Sequence, residues 1–146
     1  MQLTRFTDLG LRVLMYLARP IPERTTPVTI PEVARHFDVS RNHLVKVVHF
    51  MAQQGWVITT RGKGGGMVLA AAPESYRLGT LIRTLEGEAP LIDCAEPPCA
   101  LRDGCRLNVA LEAARQAFYH TLDLHSLADT VASPTGEAII RLHRAG

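Results

Sequence analysis

Apolar residues at helical spacing and capping signals predict two helices in the first part of the chain. The first has its apolar face at positions 6, 10, 13 and 17, can be capped by Thr4, and ends near Arg19. A proline-punctuated loop follows. The second helix is expected over about 31–37, because Thr29 and Glu32 stand at capping-box spacing with a proline just inside the helix start.

A third helix is predicted over about 41–54, after a three-residue turn in which Ser40 is a suitable cap. Its expected buried stripe is Leu44, Val47, Val48 and Met51. When this stripe packs inward, the face that points outward is polar and consists of Arg41, Asn42, His43, Lys46 and His49. Arginine, lysine and asparagine contact base edges in the major groove, so this face is a candidate DNA-reading surface. A plain solvated helix face is the alternative.

A basic, glycine-rich hairpin is predicted directly after these helices. Residues 55–60 and 67–69 have strand character, and the segment RGKGGG between them can form a tight tip that carries Arg61 and Lys63 toward phosphates or the minor groove. A nucleotide-binding P-loop is not supported, because no Ser or Thr follows the lysine and no helix opens after the loop. Three helices followed by such a hairpin predict a winged helix-turn-helix. The predicted DNA contacts are Ser40, Arg41, Asn42, His43 and Lys46 in the groove, with Arg61 and Lys63 on the wing.

The second half of the chain predicts a long helix that pairs with a second copy. A short helix over about 78–85 is followed by a loop over 88–104 that is rich in proline and glycine. From Cys105 onward a helix resumes, with a coiled-coil-like seam at Leu107, Leu111, Ala114, Phe118, Thr121 and His125. Ala110 and Ala117 flank this seam and allow close approach, so a homodimer is expected. The tail after Ser126 contains only one possible helical turn, LADTVA.

The predicted fold is therefore mostly α with a small β-hairpin. It comprises a winged helix-turn-helix domain over 1–87, a metal-binding loop over 88–105, and a dimerisation helix with a C-terminal tail over 106–146.

Charge and composition narrow the function. Residues 1–70 hold nine Lys and Arg against four acids, and the remainder holds seven against ten, so the first half is the one suited to a polyanion. No apolar run is long enough to span a membrane and no secretory signal is recognisable, so a cytoplasmic location without membrane partners is expected. No paired-carboxylate or Ser/His/Asp arrangement stands out, so no enzymatic activity is expected.

All three cysteines lie in the stretch DCAEPPCALRDGC. Three thiols cannot be fully paired within one chain, and a reducing compartment favours metal binding over disulfides. Soft thiolates select iron–sulfur clusters, zinc or Cu(I), and the wide C-x4-C-x5-C spacing of Cys94, Cys99 and Cys105 favours a cluster over zinc. A fourth ligand must come from elsewhere. The candidate carboxylates are Asp93, Glu96, Asp103 and Asp8, the last of which can instead form an i,i+4 ion pair with Arg12.

Four features together resemble the IscR/NsrR family of bacterial winged-helix iron–sulfur regulators. They are the segments MQLTRFTDLGLRVLMYLA, VSRNHLVKVV and RGKGGG, and the spacing of Cys94, Cys99 and Cys105. The likeness covers nearly the whole chain and is strongest to the nitric-oxide-sensing members. It implies a homodimer that binds double-stranded operator DNA and holds its cluster on these three cysteines.

The resemblance also implies a fourth ligand and a signal. Asp8 matches the position from which nitric-oxide-sensing members supply a carboxylate of the partner subunit, whereas Asn108 stands where IscR-like members have a histidine ligand. The implied cofactor is a 4Fe-4S cluster, with 2Fe-2S as the other possibility. The implied function is a transcriptional repressor released from DNA when nitric oxide nitrosylates the cluster. The alternatives are a regulator of the same architecture that senses iron–sulfur supply or redox state through a 2Fe-2S cluster, and a non-regulatory cluster protein.

Overall fold

The computed structural model describes residues 2–87 and 89–146. Two residues lie outside the described ones: Met1, where the predicted winged helix-turn-helix domain begins, and Glu88, where the predicted metal-binding loop begins. The helices are α1 (Arg5–Ala18), α2 (Ile30–Phe37), α3 (Arg41–Gln53), α4 (Leu78–Glu86), α5 (Arg106–Asp123), α6 (Leu127–Thr130) and α7 (Thr135–Ala145). Strands β1 (Val57–Thr60) and β2 (Gly66–Leu69) pair antiparallel, and a 3-10 turn spans Pro73–Ser75. The mostly helical fold with one hairpin is confirmed, with predicted boundaries within about two residues through α4.

Local capping explains where the first helices begin and end. The Thr4 hydroxyl accepts the backbone N–H of Thr7 at 3.2 Å, and Thr29 and Glu32 form the predicted capping box. Asp38 ends α2 in the left-handed conformation, with φ of 50°. Ser40 occupies the N-cap position of α3 as predicted, but its side chain makes no capping hydrogen bond. Its exposed hydroxyl is therefore not engaged at the helix start.

The core of the winged helix-turn-helix is centred on α1. Val13, Leu14 and Tyr16 are fully buried there, and α1 packs against α3, α4, α6 and β2. Met51 of α3 and Met67 of β2 complete the packing between helices and hairpin. This core fixes the orientation of α3 relative to the wing.

Helix α5 lies against α4 through one side. Gly79 of α4 is needed for this approach, because a Cβ atom there would lie 2.1 Å from the carbonyl oxygen of Tyr119. The Thr80 N–H donates to Asp123 Oδ1 at 2.7 Å, and the Arg83 guanidinium lies 4.8 Å from the centroid of the Tyr119 ring. On the uncovered sides, Leu107 is 63% exposed and Ala110, Ala114 and Ala117 are also exposed.

The chain after α5 returns to the winged helix-turn-helix, which the sequence did not reveal. Helix α6 begins with a capping box formed by Ser126 and Asp129, and the Leu127 N–H donates to the Tyr76 carbonyl at 2.9 Å. Helix α7, which was not predicted, stacks its His143 ring on the Tyr16 ring at 4.0 Å. None of the helices within 2–87 and 89–146 is long and apolar enough to cross a bilayer.

Candidate DNA-binding face and cysteine loop

Helix α3 presents the predicted polar face to solvent. Leu44, Val47, Val48 and Met51 are buried, with at most 3% of each exposed. The side chains named from the sequence, Ser40, Arg41, Asn42, His43 and Lys46, are all exposed. The helical period thus separates a packed stripe from a largely polar face with two permanent cations, Arg41 and Lys46, which is suited to an anionic duplex.

The wing projects Arg61 and Lys63 from a tight tip. Thr60 pairs with Gly66 at the end of the hairpin, and Gly62 and Gly64 have φ angles of 88° and 76°, which favour glycine. A Cβ atom on Gly65 would lie 2.2 Å from the Thr60 carbonyl oxygen, so the tip also depends on glycine for its close packing. Both cationic side chains are exposed.

A groove of about 410 Å³ separates α3 from the wing. It is lined by the start of α2 at Thr29 and Pro31, by α3, and by Arg61 of the wing. On α3 its wall includes Arg41, Val45 and His49. Arg41, His49 and Arg61 were identified from the sequence as outward-facing or wing residues, and the structure brings them to one groove. Val45 was missed, because only polar side chains were considered for DNA contact.

A second, smaller groove joins α1 to the recognition helix. Arg5, Phe6 and Leu9 of α1 line it together with His43 and Lys46 of α3. Arg5 therefore adds a further cation beside the polar face of α3. It was not singled out from the sequence, since it lies far from α3 in the chain and only the packing of α1 on α3 brings them together.

A half-buried polar network links α1, α2 and the loop between them. Arg24 donates to both carboxylate oxygens of Glu32 at 2.7 Å, and the Tyr16 hydroxyl also donates to Glu32 at 2.7 Å. Burial opposes ionisation of Glu32, but the hydrogen bonds from Arg24 and Tyr16 outweigh it and lower its pKa to about 2. Burial lowers the pKa of His143, whose Nδ1 lies 3.1 Å from an Arg24 nitrogen. Glu32 is therefore ionised and His143 neutral at pH 7.

The cysteine loop is held by local contacts and is largely exposed. The Cys99 N–H donates to the Cys94 carbonyl at 3.2 Å, and Asp93 Oδ1 accepts the N–H of Ala95 at 2.7 Å. Cys99 is exposed, whereas Cys94 and Cys105 are half-buried. Cys105 occupies the N-cap position of α5. All three thiols are free of disulfides.

The donor set fits an iron–sulfur cluster in its chemistry. Three thiols are soft ligands for iron, and the loop contacts around them lie mainly within the loop itself, so the thiols can converge without disturbing the core. Among the described residues, no three His, Cys, Asp or Glu side chains already converge as a metal site. A cluster would thus require the loop to close around it.

The structure gives the candidate fourth ligands different partners. Asp8 is paired with Arg12, with Nε and Oδ1 2.9 Å apart, and its side chain is 41% exposed. The Asp93 carboxylate instead accepts a hydrogen bond from the N–H of Ala95 within the cysteine loop. Within one chain, the described residues do not bring Asp8 and the cysteines into one metal-binding group.

Comparisons with known proteins agree on the class of the chain. A family model described as Rrf2, iron-dependent transcriptional regulator, matches residues 3–133. The chain is 42% identical to the HTH-type transcriptional repressor NsrR of Streptomyces coelicolor over 143 residues, which is 97% of this chain and 96% of that protein.

Solved structures agree on the fold. The global cysteine regulator CymR of B. subtilis has a TM-score of 0.70 and 26% identity, over 88% of this chain and 95% of that one. IscR of T. potens has a TM-score of 0.67 and 23% identity, over 90% of this chain and 86% of that one, which shows the fold alone.

Proposed function

The chain belongs to the Rrf2 family of transcriptional regulators, and we propose that it is a nitric-oxide-responsive repressor that binds operator DNA as a homodimer and carries an iron–sulfur cluster. The observation that carries this proposal is the placement of all three free thiols in one exposed loop between the winged helix-turn-helix and α5. Family membership confirms the prediction that the chain is a regulator and not an enzyme.

In this proposal the side chains of α3 and those of the wing contact different parts of the DNA. Arg41 and Asn42 lie in the first turn of α3, the part of a recognition helix that reaches deepest into the major groove, and contact base edges. Lys63 stands on the glycine-rich tip and neutralises a phosphate, which positions the protein without reading sequence. Ser40, His43, Lys46 and Arg61 complete the proposed contact surface.

Cys94, Cys99 and Cys105 would hold the cluster, with Asp8 of the partner subunit as the proposed fourth ligand. When bound, a 4Fe-4S cluster would supply iron that reacts with nitric oxide. Asp8 is suited to a reversible role because it has an alternative partner on its own helix, Arg12, at 2.9 Å. An exposed i,i+4 pair is worth only a few tenths of a kcal/mol, so it competes weakly with a metal ligand.

The position of Asp8 also offers a physical route from the cluster to DNA. Asp8 lies on α1, which packs directly against the recognition helix α3. The start of α1 is tied to the end of α4, where the Thr4 N–H donates to Glu86 Oε1 at 2.7 Å. The cysteine loop follows immediately after α4. A change in the ligation of Asp8 would therefore act on the helix that supports α3.

The test is native mass spectrometry of anaerobically purified protein before and after stoichiometric nitric oxide, followed by operator binding. We expect a dimer with one 4Fe-4S unit per chain, conversion to iron-nitrosyl adducts, and loss of operator affinity. A dimer with a 2Fe-2S cluster that is released from DNA by chelator or oxygen but not by nitric oxide would replace this proposal with a sensor of iron–sulfur supply or redox state. Zinc as the only metal would refute cluster binding.

Asp8→Ala tests the fourth ligand, and Asp103→Ala is its matched control in the cysteine loop. Asp8→Ala should lose its cluster faster in air and change its response to nitric oxide, whereas Asp103→Ala should behave as wild type. Unchanged cluster stability and response in Asp8→Ala would exclude Asp8 as the ligand.

A further inference from the structure

Val45 is an apolar side chain in the middle of the proposed DNA-reading face. Its exposed fraction is 51%, whereas its neighbours Leu44 and Val47 are each 1% exposed. It is one helical turn from Arg41 and one from His49, so the three side chains form a row along the helix. Val45 therefore stands between two polar groups on the solvent side of α3.

The packing of the fold does not account for a valine at this position. The buried stripe of α3 is complete without Val45, and β-branched residues have lower helix propensity than lysine or glutamate, which are the usual residues of a solvated face. Scattered exposed apolar residues are ordinary on protein surfaces. Val45 differs because it lines the groove between α3 and the wing that Arg41 and Arg61 also line.

The chemistry of a DNA duplex supplies one apolar partner for such a side chain. Phosphate contacts from the cations around the groove would draw the base edges of the major groove against α3. Among the groups on those edges, only the C5 methyl of thymine is apolar. Val45 is the fifth residue of α3, within the part of a recognition helix that approaches bases.

We propose that Val45 contacts the C5 methyl group of a thymine in each half of the operator and so helps determine its sequence. This inference rests on the proposed recognition of operator DNA by α3. It assigns a sequence-determining role to a residue that carries no polar group.

Substitution of thymine by deoxyuridine tests the contact directly, since it removes the methyl group and preserves base pairing. Operators are first selected from random duplexes with the anaerobically purified full-length protein. Each thymine is then replaced in turn. For the wild-type protein we expect one position per half-site at which the replacement weakens binding about fourfold, and about fifteenfold when both half-sites are changed.

Val45→Ala should bind the thymine and deoxyuridine operators equally. Val68→Ala is the matched control, because Val68 is a similarly exposed valine (45%) on strand β2, and it should keep the fourfold preference. A Val45→Ala protein that keeps the preference, or a wild-type protein that shows none at any thymine, would overturn the inference and leave operator recognition intact. A selection that enriches no sequence would instead overturn the proposed function, and the inference with it.

Discussion

At the residue scale, a single carboxylate stabilises the helix-turn-helix. Glu32 of α2 accepts hydrogen bonds from Arg24 in the preceding loop and from Tyr16 of α1, each at 2.7 Å. It also accepts the backbone N–H of Thr29 at 3.4 Å in the capping box. Because only 15% of its side chain is exposed, solvent screens these contacts little. Glu32 thus joins two helices and the loop between them.

Glu32→Gln should therefore destabilise the fold in a pH-dependent way. The pKa of Glu32 falls from its ordinary value of 4.5 to about 2 on folding. The stabilisation from its charge is fully present above about pH 4.5 and is lost as the pH falls toward 2. We expect the substitution to lower the free energy of unfolding by about 2–3 kcal/mol at pH 7. Urea unfolding of both proteins between pH 7 and pH 3 should show this difference shrinking below pH 4.5.

Glu112→Gln provides the comparison for this experiment. Glu112 on α5 also has its pKa lowered to about 2, through hydrogen bonds from Arg115 and Gln116, but its side chain is 45% exposed. Its loss should have a much smaller effect on unfolding, because water screens and replaces these contacts. Equal destabilisation by the two substitutions would show that the contribution of Glu32 to the free energy of unfolding does not depend on its burial.

At the element scale, the wing and the recognition helix should contribute differently to DNA binding. If Lys63 contacts one phosphate per subunit, as proposed, Lys63→Ala should flatten the slope of log affinity against log salt by about 0.9 per subunit and about 1.8 per dimer. Binding should weaken to a similar degree on all sequences. Titrations of operator and unrelated DNA over a range of salt concentrations measure both effects.

Asn42→Ala is the contrasting variant on α3. Asn42 is uncharged, so its loss should leave the salt slope unchanged and relax the preference at particular base pairs. A Lys63→Ala protein that loses sequence preference with an unchanged salt slope would contradict the assignment of Lys63 to phosphate. An Asn42→Ala protein with an unchanged base preference would remove Asn42 from the reading face.

The elements that were predicted from the sequence are those that local signals determine. The start of α1 follows from Thr4, that of α2 from the capping box of Thr29 and Glu32, and the hairpin from its glycines. Ser40 shows the limit of such signals. It takes the N-cap position that its type predicts, yet its hydroxyl makes no capping bond.

Helix α7 was missed because its place in the fold depends on distant residues. Its buried apolar residue is Ile139, and the pattern around it is short and rich in charge. What anchors the helix is His143, whose ring stacks on Tyr16 and whose Nε2 lies 3.2 Å from the Tyr16 carbonyl oxygen. A contact between residues 127 positions apart leaves no periodic signal in a sequence. The possible helical turn LADTVA, which forms α6 in the structure, was the local clue that the tail is ordered.

The residues of the candidate site also divide into those that local signals predict and those that only the folded structure reveals. The polar face of α3 was predicted because the helical period separates it from the buried stripe, and the structure exposes those side chains. Arg5 and Val45 were not foreseen, the first because its position depends on packing and the second because it is apolar. The fourth cluster ligand stays a proposal, since a ligand from a partner subunit is specified by neither the spacing nor the contacts of one chain.

At the scale of the whole molecule, α5 is the helix that would set the spacing of two copies on DNA in the proposed homodimer. One side of the helix packs on α4, and the predicted seam leaves Leu107 and Ala114 exposed. Exposed apolar residues at heptad-like spacing on a long helix indicate a partner helix. A symmetric dimer through this seam would place two α3 helices on two half-sites of an operator. A substitution that disrupts the seam should therefore also weaken operator binding.

Ala114→Arg should separate the dimer, because it would bury an unpaired charge where two helices meet. We expect the dimer dissociation constant to rise by at least about 100-fold, and operator affinity to fall with it. Ala113→Arg is the matched control, since it adds the same side chain to an equally solvent-facing alanine about 100° around the helix from the seam. Sedimentation velocity of both variants measures the effect. The opposite result, in which Ala113→Arg dissociates the dimer and Ala114→Arg does not, would show that the subunits meet on a different face of α5. The spacing of the two recognition helices would then have to be derived from that face.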